Sequence, residues 1–280
     1  MIRSRQITDG DLESVANLLC RGFPRRSRQD WLKALLRLSE HSTPTSFPKY
    51  GYLVEAQDTP VGVLLLISSS IGSAVRCNLS SWYFEPTYRG YAALIVSQVA
   101  RRKEVTYLNV SPEKHTLPIL EAQGFRKYSA GEFVAIPVPY PQTGATRARV
   151  LEINTDPDVQ FELFERDLLL HHAEYRCMSF WCTTSERAYP FVFRPRIVKG
   201  FLPCAHLVYC RDVEAFRRLA WPIGKFLALR GMPMIIIDSN GPIPGLKGRY
   251  FAGVTPKYFK GPNQPRLGDL AYTEIAMFGC

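Results

Sequence analysis

The stretch Phe84-Glu-Pro-Thr-Tyr-Arg-Gly-Tyr-Ala-Ala-Leu-Ile95 puts an Arg-Gly turn between an apolar strand and an apolar helix, which points to an α/β chain. A helix that starts from such a turn leaves its first N–H groups, and the positive end of its dipole, open to an anion. Arg89 adds a cation, and Gly90 lets the backbone approach closely because it has no Cβ.

The elements around the turn follow from periodicity. Leu12, Val15, Leu18 and Leu19 recur at helical spacing behind Asp9 and Asp11, and Trp31, Leu32, Leu35, Leu36 and Leu38 do so behind a Ser27 cap. Strands are expected at 50–56 and 61–68, joined by a Gln-Asp-Thr-Pro hairpin turn, and at 76–84. A helix at 91–102, a strand at 105–110, a helix at 113–123 ending on Gly124, and strand material at 125–137 complete this half. Antiparallel hairpins combined with one parallel crossover predict a mixed sheet.

A Pro- and Gly-rich segment around residue 142 reads as a linker, giving two domains, 1–140 and 147–280. Beyond it the order partly repeats. Strands are expected at 149–153, 178–184, 189–198, 204–209 and 232–238, with helices at 159–171 and 213–229. A Gly/Pro-rich stretch at 240–265 replaces the last helix, and 270–278 is expected to be the closing strand.

The net charge of +10 favours an acidic partner such as a nucleotide cofactor, a nucleic acid or an anionic glycan. The basic residues are dispersed and their densest cluster, Arg25-Arg-Ser-Arg28, lies in a turn, which argues against nucleic acid. The longest apolar run, Val61 to Ile67, is strand-like and far too short for a membrane span. The first residues lack the apolar core of a secretory signal, so a cytoplasmic protein is expected. Seven cysteines, an odd number without zinc-ligand spacing, read as reduced thiols, and no metal is expected.

Two motifs carry a family resemblance. Pro86-Thr-Tyr-Arg-Gly-Tyr-Ala-Ala-Leu94 and, further on, Ile119-Leu-Glu-Ala-Gln-Gly-Phe125 resemble the signatures of the GNAT family of acyl-CoA-dependent acyltransferases, in the family's order. The resemblance implies an α/β fold of two tandem GNAT-like domains, each a mixed, mostly antiparallel sheet flanked by helices, the second diverged. It also implies acetyl-CoA or another acyl-CoA as co-substrate. Arg89, Gly90, Tyr91, Ala92, Ala93 and Leu94 would cradle its pyrophosphate, and the backbone of Trp82, Tyr83 and Phe84 would pair with its pantetheine arm. The chain departs from the family pattern at Ala92 and Leu94, where glycine or a small residue is usual. It departs again at Leu120, where many members have the tyrosine that protonates the leaving thiolate. In the second half Tyr209-Cys-Arg-Asp-Val-Glu replaces the Arg-Gly turn, so one coenzyme site is expected, in the first half.

Direct attack on a thioester needs a base, oxyanion donors and an acid for the thiolate. Glu85, at the end of the strand, and Ser111 and His115, after the next strand, are the candidate catalytic residues. Each also has a structural explanation: a solvated corner, a helix cap and a surface histidine. The acceptor, whether small molecule, peptide or glycan, is left open. Two other functions fit the same residues: a GNAT-shaped binding module without catalysis, and an aminoacyl-tRNA-dependent transferase.

Overall fold

A computed structural model of the chain describes residues 1–72, 74–136 and 148–279, so the linker expected near 142 lies outside the described residues. The first half runs β1 (Ile2–Gln6), α1 (Leu12–Gly22), α2 (Arg28–Glu40), β2 (Gly51–Ala56), β3 (Thr59–Ile71), β4 (Ala74–Phe84), α3 (Tyr91–Val99), β5 (Val105–Asn109), α4 (Leu117–Ala122) and β6 (Arg126–Ala135). The second half runs β7 (Arg149–Glu152), α5 (Leu163–Glu174), β8 (Met178–Thr183), β9 (Ala188–Val198), β10 (Leu202–Cys210), α6 (Val213–Ala228), β11 (Met234–Ser239), β12 (Gly248–Lys260) and a short α7 (Glu274–Met277).

Local chemistry accounts for the element ends. Ser27 Oγ accepts the Asp30 N–H at 3.2 Å to start α2, and the Asp212 carboxylate caps α6 through the Ala215 N–H. Between β2 and β3, Gln57 and Asp58 both take positive φ (49° and 62°), the conformation of a two-residue hairpin turn.

Among the described residues twelve strands form one sheet in the order β1-β2-β3-β4-β5-β12-β6-β11-β10-β9-β8-β7. The centre of this order is an exchange. β6, the last strand of the first half, pairs antiparallel with β11 of the second, and β12, the last strand of the second half, lies between β5 and β6. Each half completes its sheet with the other's final strand.

One expectation is overturned here. The closing strand is β12, inside the Gly/Pro-rich stretch, and not 270–278. Gly248 is required by close packing, since a Cβ there would lie 2.2 Å from the Val134 carbonyl oxygen. Pro256 falls in the irregular stretch between Ala252 and Lys257, where the ladder shifts register and needs no N–H. Residues 270–278 are apolar because they are buried, and α7 satisfies their backbone instead: Met277 N–H bonds to Thr273 O and Phe278 N–H to Glu274 O, both at 2.9 Å.

The sheet separates three cores. On one face α1, α2, α5 and residues 270–278 cover Leu53, Leu65, Leu108, Val208 and Phe259, which spans both halves. On the other face α3 and α4 cover the first half, and α6 packs over Phe180, Phe191 and Phe193 of the second. Burying each such side chain contributes roughly 1.5–3 kcal/mol before entropy is counted. At the exchange, Lys257 of β12 is fully buried with its Nζ 2.7 Å from Asp238 Oδ1 of β11, while Arg196 pairs with Glu132 of β6 at 2.8 Å.

Candidate active site

The site begins where two strands part. β4 and β5 pair in parallel only from Val75↔Val105 to Asn78↔Leu108. Beyond that point β4 bulges: Ser80 faces Leu65 and Tyr83 faces Val63, so Ser81 and Trp82 together oppose Leu64, with Ser81 at φ 46°. The bulge turns the strand away from β5 and opens a cleft of about 370 Å³. Leu79, Ser81 and Trp82 form one wall and Asn109, Ser111, Pro112, Glu113 and Thr116 the other. Phe23, Arg25, Arg26 and Trp31 close over it from the α1–α2 region.

The second half supplies the last lining groups, Glu274 and Gly279. Glu274 is 1% exposed. Its Oε1 accepts the Ser111 hydroxyl at 2.6 Å, and its Oε2 accepts from Asn78 Nδ2. Burial raises the carboxyl pKa above the ordinary range, against the opposing pull of those two hydrogen bonds and of Lys257. Arginines fix the segment that carries it. Arg37 donates to Met277 O at 2.9 Å, Arg194 to Ala276 O at 3.3 Å and Arg26 to Gly279 O at 3.3 Å. Arg76 of β4 donates to Ala271 O at 2.8 Å and pairs with Asp269 at 3.1 Å.

The residues singled out in the sequence divide. Ser111 and Trp82 line the cleft, and Tyr83 and Phe84 continue the bulged strand past it. Arg89 and Gly90 are exposed at the start of α3; Gly90 has φ −60° and open space where a Cβ would point. The methyl of Ala92 is buried with Ile95 and Val96, so the first-half core absorbs it. Leu94 is 51% exposed, Tyr91 38% exposed, and Ala93 O accepts from Gln123 Nε2 at 3.3 Å. Leu120 is fully buried in the core under α4.

Glu85 lies outside the cleft lining. It pairs with Arg21 at 2.6 Å and accepts the Tyr83 hydroxyl at 3.2 Å. His115 is exposed in the turn before α4, also outside the lining. Glu274, Asn78 and Asn109 had no signal in the sequence, because the Ser111–Glu274 contact spans 163 residues and no motif encodes it.

The second half repeats the opening and fills it. β10 and β11 pair in parallel only as far as His206↔Ile236, and β10 also shifts register between Leu207 and Tyr209. On the edge that β9 leaves free, Cys210 N–H bonds to Gly268 O at 2.9 Å and Leu270 N–H to Val208 O at 2.7 Å. The chain's own backbone thus occupies the strand edge that stays open in the first half. Nearby, Glu132, His206 and Asp238 place ligand-type atoms within 4.8 Å of one another, with Lys257 and Arg196 balancing the two carboxylates.

Among the described residues, no helix is long and apolar enough to cross a membrane. The six described cysteines are free thiols, five of them buried.

No protein-family model matches the sequence, and no curated protein matches it. Solved structures match the fold. A GCN5-related N-acetyltransferase from Anabaena variabilis aligns with a TM-score of 0.58 at 9% identity, covering 93% of this chain and 72% of that one. A GCN5-related N-acetyltransferase from Kribbella flavida aligns at 0.56 and 13% identity, covering 92% and 70%. A tandem GNAT protein from the clavulanic acid biosynthesis pathway aligns at 0.54 and 10% identity, covering 94% of this chain and all of that one. The chain has the tandem GNAT fold.

Proposed function

We propose that this tandem GNAT fold transfers an acetyl or other short acyl group from its coenzyme A thioester to an acceptor held in the first-half cleft. Residues 1–140 and 147–280 are taken as the two repeats. The observation that carries the reading is the bulged end of β4, which opens the cleft at Ser81 and Trp82 and leads into the exposed Arg89-Gly90 turn. An elongated diphosphate-bearing thioester fits that layout. Arg89 and the amides through Leu94 would take the diphosphate, and the β4 edge from Trp82 to Phe84 would pair with the amides of the arm. The coenzyme supplies the activated acyl carbon; this chain's residues bind, orient and exclude water.

Gly90 supports the reading. At φ −60° any residue could occupy it, and open space surrounds the position of a Cβ, so the fold does not require glycine there. Close approach of a ligand would.

Calorimetric titration with acetyl-CoA tests the proposal. One coenzyme per chain is expected, because Gly268–Leu270 fills the second opening. Gly90→Ala should weaken binding about tenfold or more while leaving the melting temperature within about 2 °C. No binding at millimolar coenzyme would overturn the proposal, and two equivalent sites would overturn the single-site assignment.

A further inference from the structure

Where β9 turns into β10, one end of the second-half sheet is both apolar and basic. Strand registers fix which segments meet there. Arg196 of β9 lies opposite Cys204 of β10, Cys204 lies opposite Met234 of β11, and Met234 precedes the Ile235↔Ala135 pair with β6. The β9–β10 turn and the α6–β11 turn therefore project from the same end. Lys247 joins them, since its carbonyl oxygen accepts the Ile136 N–H at 2.9 Å. β5 and β6 both run antiparallel to β12, so the cleft between β4 and β5 opens at this end of the sheet too.

The hairpin tip stands clear of its neighbours. β8 accompanies β9 only as far as Met178↔Phe193, and past that point β9 pairs with β10 alone among the described residues. Lys199 and Gly200 make the turn at φ 53° and 78°, with Ile197 67% exposed before it and Phe201 77% exposed after it. Leu229, in the α6–β11 turn, is 78% exposed. One exposed apolar side chain needs no explanation, but two that flank a hairpin apex and a third on the adjacent turn mark a surface that meets something.

The charge at this end has one sign. The sequence holds no aspartate or glutamate from Arg187 to Arg211, from Ala215 to Ile237 or from Ser239 to Gly268. Arg196 and Arg230 pair with Glu132 and Glu152 at 2.8 and 3.0 Å. Lys199, Lys247 and Arg249 are exposed and have no carboxylate partner among the described residues.

We propose that this end of the sheet docks on an anionic lipid bilayer, with Ile197, Phe201 and Leu229 entering the interface and Lys199, Lys247 and Arg249 meeting the headgroups. The proposal is independent of the acyl-transfer reading. A bilayer uses both features together: its surface charge attracts the cations, and its acyl boundary takes up the apolar side chains. A nucleic acid would leave Ile197 and Leu229 in water. A protein partner would need a hollow shaped to the projecting hairpin, whereas a bilayer yields around it.

The test is co-sedimentation of the full chain with vesicles of phosphatidylcholine, alone or mixed with phosphatidylserine. The mixed vesicles should bind it about tenfold or more tightly than the neutral ones, and added salt should weaken the binding. Lys199→Ala should cost about fivefold in affinity and Phe201→Ser about tenfold. Both should leave the melting temperature within about 2 °C, because the side chains are exposed. In Phe201→Trp the added emission should shift to the blue on mixed vesicles and be quenched by lipids brominated in their acyl chains. No binding to mixed vesicles would overturn the proposal, as would binding that Phe201→Ser with Ile197→Ser leaves unchanged, or a Phe201→Trp emission that vesicles do not move. A single-stranded oligonucleotide that binds while the vesicles do not would assign the surface to nucleic acid. A dimer that Phe201→Ser dissociates, again without vesicle binding, would assign it to a second copy of the chain. Either result would overturn the bilayer as occupant.

Discussion

At the scale of single residues, His172 shows how the tail that carries Glu274 is held. Its ring is fully buried, donates from Nδ1 to Leu168 O at 2.7 Å, and accepts the Tyr272 N–H on Nε2 at 3.1 Å. Burial holds the imidazole neutral by lowering its pKa from 6.5 to about 4. The folded value lies below the unfolded one, so the stability it contributes is full above pH 6.5 and is lost as pH falls toward 4. The loss amounts to at most about 3 kcal/mol at the acid end. A melting series from pH 7 to pH 4 should show this decline, and His172→Gln should flatten it. An equal slope in the variant would mean that other groups carry the acid sensitivity. Protonation also removes the acceptor for Tyr272, two residues before Glu274, so coenzyme-saturated turnover should weaken over the same range. In the sequence His171-His172 is only a histidine pair in the last turn of a helix, where the negative end of the dipole suits it. Burial at one of the two could not be read from it, because the groups that bury His172 come from a segment about 100 residues away.

At the scale of elements, the central strands depend on one buried ion pair. Lys257 is wholly enclosed and reaches past β6 to Asp238 on β11, and it also donates to Thr255 O at 3.2 Å. Burial alone would raise the Asp238 pKa, but Lys257 and His206 outweigh it and hold the carboxyl below its ordinary range. Removing one partner strands the other, so Lys257→Met should cost about 3–5 kcal/mol in chemical denaturation, and the double variant with Asp238→Asn should regain part of it. A loss below about 1 kcal/mol would show that the pair is not fixing β12. At this scale much was legible. The hairpin at Gln57-Asp58, the strand leading to Arg89 and the helix after it all follow from local pattern, as do the helices at Leu12 and Val213. β12 was not, because its glycines and Pro256 read as loop until the crowding at Val134 and the irregular ladder explain them. The run ending at Phe278 misled in the opposite direction. Its apolar residues are buried against α2 and β4, and past Leu270 the backbone bonds within α7 and not along a strand.

At the scale of the whole molecule, the two halves are joined through exchanged strands. Among the described residues β6 pairs with β12 and β11 alone, both from the second half, so residues 1–140 expressed alone would leave it without those partners. That fragment should fail to show a cooperative transition or should aggregate. Co-expression with residues 147–280 should restore a soluble complex that elutes at the size of the intact chain. A monomeric, cooperatively folding 1–140 fragment would contradict the exchange. The tandem arrangement was visible in the repeated element order, but the exchange was not, since strand order depends on pairings between segments about 100 residues apart in the chain. The exchange also has a consequence during synthesis. β6 is complete at Ala135, but its first partner strand begins only at Met234. At ribosomal speeds of roughly 5–20 residues per second, that strand waits about 5–20 s with both edges bare. Throughout that interval the nascent chain exposes a bare strand to its neighbours on the polysome, and a chaperone that shields extended segments would be needed there more than for the finished protein.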